Sequence, residues 1–194
     1  MRLLIFGYGY TARTLVAEWP DDWPRDIVAT TRSADKAREI ERTGIAARIF
    51  PGDDLSAELA RATHILATAG PSEGRDPVLA ALRDDIAANA QRLDWVGYLS
   101  TTGVYGDHGG DWVDESTPLE PTTDRGRARL SAETEWRSLH REHGLPLHVF
   151  RLAGIYGPGR NPFERLRSGK AQRIVKPGQV FSRIHVEDIA QTLV

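Results

Sequence analysis

The sequence predicts an α/β fold, a doubly wound parallel sheet with helices on both faces. Two observations predict it. Short apolar runs alternate with segments of helical spacing along nearly the whole chain, and a glycine-rich turn joins the first run to the first helix. At 194 residues, 40% hydrophobic and 27% charged, the chain can bury one sizeable core, so a single domain over residues 1–194 is expected.

The elements follow in order. "RLLIF" (2–6) reads as a buried strand, and "TARTLVAEW" (11–19) as a helix stopped by Pro20. "DIVATTR" (26–32) is a second strand. Ser33 is placed to cap a helix running to about Thr43, with Gly44 as its stop. "ARIF" (47–50) is a short third strand and "THILATAG" (63–70) a fourth. "PVLAALRDDIAANAQ" (77–91) has helical spacing, and "WVGYLST" (95–101) is a fifth strand. "ARLSAETEWRSLHREH" (128–143) is an amphipathic helix ended by Gly144, and "PLHVFRLAG" (146–154) is a sixth strand. The segments 107–124 and 157–179 read as long loops, a length that usually marks function or mobility. A last helix starts near Val186, and the sequence stops inside it without a C-cap, so more chain is expected to follow.

Composition excludes several classes. A net charge of -2 offers no basic excess for nucleic acid or an anionic membrane surface. No apolar run approaches the roughly 20 residues of a membrane span. The chain opens directly into "MRLLIFGYGY", with no signal-peptide pattern. Cysteine is absent, which removes disulfides and is compatible with the cytosol, and the six His are too scattered for a metal site. A cytoplasmic protein without metal is the expectation.

"GYGYTA" (7–12) carries the first functional signal. It is G-x-G-x-x-A between strand and helix. Gly7 permits the tight turn, Gly9 lets backbone approach a pyrophosphate, and Ala12 allows close helix–strand packing. Free amides and the positive end of the helix then face the phosphates. Gly7, Tyr8, Gly9, Tyr10 and Thr11 are the expected cradle of a dinucleotide on a Rossmann-type fold, with Ala69 at the fourth strand's end beside it. After the second strand come Arg32 and Ser33, with no carboxylate until Asp35. An Arg there suits a 2′-phosphate, so NADP is favoured over NAD. Asp53 and Leu55 follow the third strand, where the adenine edge would lie; Asp53 reads equally as a turn residue.

The segments "GYGYTA", "LSTTGVYGD" (99–107), "RLAGIYGPGR" (151–160) and "RIHVEDIA" (183–190) together resemble the extended or atypical short-chain dehydrogenases/reductases of the NAD(P)-dependent epimerase/dehydratase type. They span nearly the whole chain in that family's order. The resemblance implies a nicotinamide cofactor, a small-molecule substrate, and a smaller C-terminal substrate lobe largely missing from this chain, with residues 157–182 as a substrate-side loop or part of that lobe. It implies that Thr101 contacts the substrate oxygen, with Ser100 and Thr102 beside it; ordinary strand-end capping is the other reading. Tyr105, Tyr156 and Arg160 border the substrate, while His185 and Asp188 tie a loop to the last helix. Arg151 and the turn at Pro158 and Gly159 belong to the same wall. A homodimer through 77–91 and 124–143 follows by analogy with related folds.

The catalytic pair departs from the family. Counting back from "LSAE" (130–133) puts Arg129 at the Lys position and Arg125 at the Tyr position of Tyr-x-x-x-Lys. A guanidinium has no acceptor and does not shuttle protons near neutral pH. The two Arg side chains can clamp an anion and polarise an oxyanion, or they can extend into solvent. Asp107, His108, Asp111, Asp114 and Glu115 offer titratable groups on a loop that reads mainly as solvated. Arg165 and Arg167 join Arg160 in a positive loop that favours an anionic substrate, such as a nucleotide-linked sugar. Two functions compete: an NAD(P)-dependent oxidoreductase or epimerase using Thr101, Arg125 and Arg129, and a catalytically inactive dinucleotide sensor.

Overall fold

A computed structural model describes residues 1–194 except 25, 73, 174 and 176; the last two fall within the expected loop 157–179. Six parallel strands lie in the order β3-β2-β1-β4-β5-β6. They are β1 (Leu3–Phe6), β2 (Ile27–Thr31), β3 (Ala46–Ile49), β4 (His64–Ala67), β5 (Trp95–Thr101) and β6 (Leu147–Leu152). Strand order reverses between β1 and β4, and that switch point is where a doubly wound sheet opens a crevice at its carboxyl edge.

Alternation along the central strands feeds two cores. Leu4 and Phe6 of β1 point to one face, where α3 (Ser56–Arg61), α4 (Pro77–Asn89) and α5 (Asp124–His143) supply Leu59, Ile86 and Trp136. Leu3 and Ile5 point to the other, where α1 (Tyr10–Ala17) and α2 (Ala34–Glu41) supply Leu15, Val16 and Ile40. β1 is therefore buried on both faces, which is why "LLIF" is apolar without alternation.

Several short elements escape the sequence reading. Beyond Leu152 the chain breaks at Ala153 into β7 (Gly154–Tyr156), which pairs in parallel with β8 (Arg183–His185). Within the expected loop 157–179, Asn161 caps α6 (Pro162–Arg167) by accepting from the Glu164 amide at 3.2 Å. Helix α5 starts earlier than residue 128, capped by Thr123, whose Oγ1 accepts from the Gly126 amide at 3.0 Å. The last helix, α7 (Val186–Leu193), is capped by the His185 ring. Among the described residues no helix is long and apolar enough to cross a membrane, and no group of His, Cys, Asp and Glu is arranged to hold a metal.

The amino edge of the sheet is held by one buried carboxylate. Glu58, 7% exposed, accepts from Arg2 at 2.6 Å and from Arg48 at 2.5 Å. Burial alone would raise its pKa, but the hydrogen bonds and charges of Arg2 and Arg48 outweigh it and hold the carboxyl below its ordinary value. A lowered folded-state pKa contributes stability above the unfolded value, lost as pH falls through the folded one. Glu58→Gln should therefore destabilise the protein at pH 7 and flatten its loss of stability below about pH 4.5, the range of an unperturbed Glu, as read from urea midpoints across pH.

Candidate cofactor and substrate site

The glycine turn is built as its spacing requires. Gly7 has φ of +96°, and a Cβ there would lie 2.9 Å from Thr68 Oγ1 and 3.2 Å from the Ala69 nitrogen. The Gly7 amide donates to Thr30 Oγ1 at 3.0 Å, the Tyr8 amide to the Thr30 carbonyl at 3.0 Å, and Thr68 Oγ1 to the Gly7 carbonyl at 2.5 Å. The turn is thus pinned to both neighbouring strands.

Its outer end is open. Gly9 is the N-cap of α1; it provides no side-chain cap, the first turn carries no acid, and a Cβ on Gly9 would meet nothing within 4 Å. The other helices of eight residues or more start with a capping side chain from Ser33, Asp76, Thr123 or His185. The first-turn amides of α1, at Tyr10, Thr11 and Ala12, therefore point out at the positive end of a helix with space in front of them. These are the requirements of a phosphate cradle.

A cavity of about 440 Å³ lies above this turn. Gly9, Tyr10 and Thr11 line it together with Thr101, Arg125 and Arg129, and with Arg160 from the loop after β7. Thr101 ends β5, and its Oγ1 accepts from the Gly103 amide at 3.2 Å, so the capping role is realised inside the cavity wall. Arg125 reaches the same wall because Gly126 permits close approach: a Cβ there would lie 2.7 Å from the Gly103 carbonyl and 2.9 Å from Pro121 Cβ.

The two arginines differ. Arg129 Nη1 donates to the Leu99 carbonyl at 2.6 Å and to Tyr98 Oη at 3.3 Å, and its Nη2 lies 2.8 Å from where a Cβ on Gly70 would stand. It is seated on backbone. Arg125 is exposed. Behind Arg129, burial pushes the fully buried Tyr98 phenol up to about 12, so it keeps its proton and supplies no acid–base function near neutral pH. Burial also raises the Asp76 carboxyl, against hydrogen bonds from the Leu79 amide, the Trp136 indole and the Val78 amide and the charge of Arg129. Asp76 joins the start of α4 to Trp136 of α5. Tyr98 and Asp76 behind the site escaped the sequence reading; "GY" in β5 and Asp–Pro before α4 look like ordinary strand and cap.

Other expected site residues are distributed around this cavity. Arg32 directly follows β2 and is exposed, while Ser33 Oγ caps α2 by accepting from the Lys36 amide at 3.5 Å. The Asp53 carboxylate accepts from the Ile49 amide at 2.7 Å and closes the turn after β3. Leu55 packs in the core with Leu59, and Ala69 lies half-buried against the same cluster. Thr102 and Tyr105 line a second cavity of about 430 Å³ with Asp114, Glu115 and Arg151, separate from Thr101. Tyr156 and Arg160 line a third, of about 570 Å³, with Arg165, Lys170 and Arg183. His108 contacts the Tyr105 carbonyl at 3.1 Å. Tyr10 Oη donates to the Pro158 carbonyl at 2.9 Å, and the Arg160 guanidinium lies 5.7 Å from the Tyr10 ring centre, so the cofactor turn and the loop after β7 touch.

The sheet order, the pinned glycine turn at the switch point and the cavity beside it define a Rossmann-type α/β protein. Residues 4–194 match the model of the NAD dependent epimerase/dehydratase family, and the chain belongs to that family. It is 56% identical to a functionally unknown conserved protein from Silicibacter pomeroyi DSS, whose structure superposes with a TM-score of 0.89 over 99% of this chain and 66% of that one. A UDP-glucuronic acid 4-epimerase from Bacillus cereus, solved with UDP-glucuronic acid and NAD, shares the fold at 18% identity, with a TM-score of 0.80 over 100% of this chain and 72% of that one. Protein YeeZ of Escherichia coli K12 is 38% identical over 103 residues, 53% of this chain and 35% of that protein. This chain thus spans about two thirds of the first structure, and its match to YeeZ covers about a third of that protein.

Two of the segments that carry the family resemblance, "LSTTGVYGD" and "RLAGIYGPGR", meet "LSAE" in a largely buried brace. Arg151 of β6 donates to Glu133 of α5 through Nη2 at 2.8 Å and Nε at 3.2 Å, and to Tyr105 Oη through Nη1 at 2.9 Å. Glu133 is 1% exposed. Removing one member strands the other charge, so Arg151→Met should cost about 3–5 kcal/mol in urea unfolding, and the double variant with Glu133→Leu should recover much of that loss.

Proposed function

We propose that this chain forms the cofactor-binding and catalytic part of an NAD(P)-dependent oxidoreductase of the epimerase/dehydratase type, with NADP(H) preferred, acting on an anionic, nucleotide-sugar-like small molecule. The observation that carries the reading is the uncapped, acid-free start of α1 facing the same cavity as Thr101. The first-turn amides of α1 hold the cofactor's pyrophosphate. Arg32 and Ser33, directly after β2, meet the adenosine 2′-phosphate. The bound nicotinamide supplies hydride transfer. Thr101 orients the substrate oxygen, and Arg129, immobilised on the Leu99 carbonyl, provides fixed positive charge where the family places a Lys. The chain's three cavity arginines hold charge and do not move protons.

NADPH and NADH titrations followed by nicotinamide fluorescence test the cofactor assignment. NADPH should bind at least about tenfold more tightly, as one charged hydrogen-bonding partner provides, and Arg32→Ala should erase the difference. Comparable affinities in the unaltered protein would remove Arg32 from the site. Hydride transfer to carbonyl compounds and nucleotide sugars tests the enzyme: Thr101→Ala should lower kcat by about 100-fold with cofactor affinity unchanged, and equal rates in both proteins would refute its role.

A further inference from the structure

The 440 Å³ cavity has an unusual charge balance. Arg125, Arg129 and Arg160 line it, and among the described residues no Asp or Glu does. The three guanidinium groups come from two separate segments, the first turns of α5 and the loop after β7, so their convergence belongs to the tertiary fold. The start of α5 also borders it through Thr123, Arg125 and Gly126, although Thr123 caps that helix and Asp124 stands in its first turn. A second observation is independent of charge. Ser100, 5% exposed, also lines the cavity, and its buried Oγ has no hydrogen-bond partner among the described residues. A buried hydroxyl without a partner is costly in a wall that meets no ligand.

The cations divide by task. Arg129 is fixed to backbone. Arg160 leans over the Tyr10 ring and borders both this cavity and its 570 Å³ neighbour, where Arg165, Lys170 and Arg183 outnumber Glu164 and give a positive balance suited to phosphates. On the proposed function the α1 amides, free of a capping side chain, serve the pyrophosphate. Arg125 is left, lining the same cavity as Thr101, the residue the proposed function sets at the substrate's reacting carbon. A planar guanidinium fork in that place matches a planar carboxylate.

We infer that Arg125 clamps a carboxylate carried by the substrate close to its reacting carbon, with Ser100 Oγ as an additional donor, so that the substrate class is a hydroxy acid or oxo acid, free or as the sugar acid of a nucleotide-linked sugar. This rests on the proposed function, in that the cavity is taken as the substrate site. It adds an anion distinct from the phosphates and makes Arg125 a specificity-determining residue.

Arginine modification by phenylglyoxal, quantified at Arg125 by peptide mass spectrometry, reads occupancy without turnover. The probes are matched pairs that differ by one carboxylate: glucuronate against glucose, and UDP-glucuronate against UDP-glucose. Glucose 6-phosphate is a third arm. At least one carboxylate member should slow modification of Arg125 fivefold or more while its neutral partner leaves the rate unchanged. In calorimetry the same carboxylate should lose tenfold or more in affinity on Arg125→Gln, with NADPH affinity unaltered. Equal protection by both members of each pair, protection by none of the probes, or protection by the phosphate alone overturns the inference. The parallel NADPH titration separates the two ideas. Cofactor binding without carboxylate protection removes the clamp and leaves the proposed function standing, whereas protection without cofactor binding keeps the clamp and removes the cofactor reading.

Discussion

The buried contact between Arg151 and Glu133 holds together the parts of the molecule that make the site. β6 supplies the arginine, α5 the carboxylate, and the turn after β5 the phenol that completes the arginine's hydrogen bonds. Thr101 lies at the end of the strand that precedes that turn, and Arg125 in the first turn of that helix. Their relative placement depends on a largely buried charge pair, where a partner cannot be removed without stranding the other ion. The same pair explains which motifs remain. "VYG", the Glu of "LSAE" and the Arg that opens "RLAGIYGPGR" are the brace, and they survive although the two residues expected to handle protons do not.

The replaced pair changes the physical character of the pocket. A phenol and an ammonium would form a group that can pass a proton. Two guanidinium groups form a stationary field. Arg129 is anchored on a main-chain carbonyl, and the tyrosine behind it stays protonated because it is buried. The amino end of α1 opens onto the cavity and reinforces that field. Stabilisation of negative charge is therefore the strongest chemical resource this wall has, and proton handling the weakest.

Most of the fold was readable because its signals are local. "LLIF", the G-x-G-x-x-A turn, Ser33 before α2 and Gly144 after α5 each announce an element through side-chain pattern or backbone need. The misses share a physical cause. β7 and β8 are three residues each and α6 is six, too short to show a period. The segment 128–143 covers only the amphipathic part of α5, whose first turn, residues 124–127, carries no apolar period. In the site, Thr101, Arg125, Arg129 and Arg160, singled out from the family spacing, all line one cavity. Sequence alone could not tell which wall Thr102 and Tyr105 face, as adjacent residues at a strand's end diverge onto opposite sides. Nor could it show that Arg129 is anchored and Arg125 exposed, a distinction that depends on the Leu99 carbonyl and on Gly70 lacking a side chain.

The contact between Tyr10 and Pro158 joins residues 148 positions apart in sequence. One end belongs to the turn that would receive the coenzyme, the other to the segment that carries Arg160. The proposed coenzyme turn and the loop that carries Arg160 thus share a side-chain hydrogen bond, so a displacement of either is felt at the other.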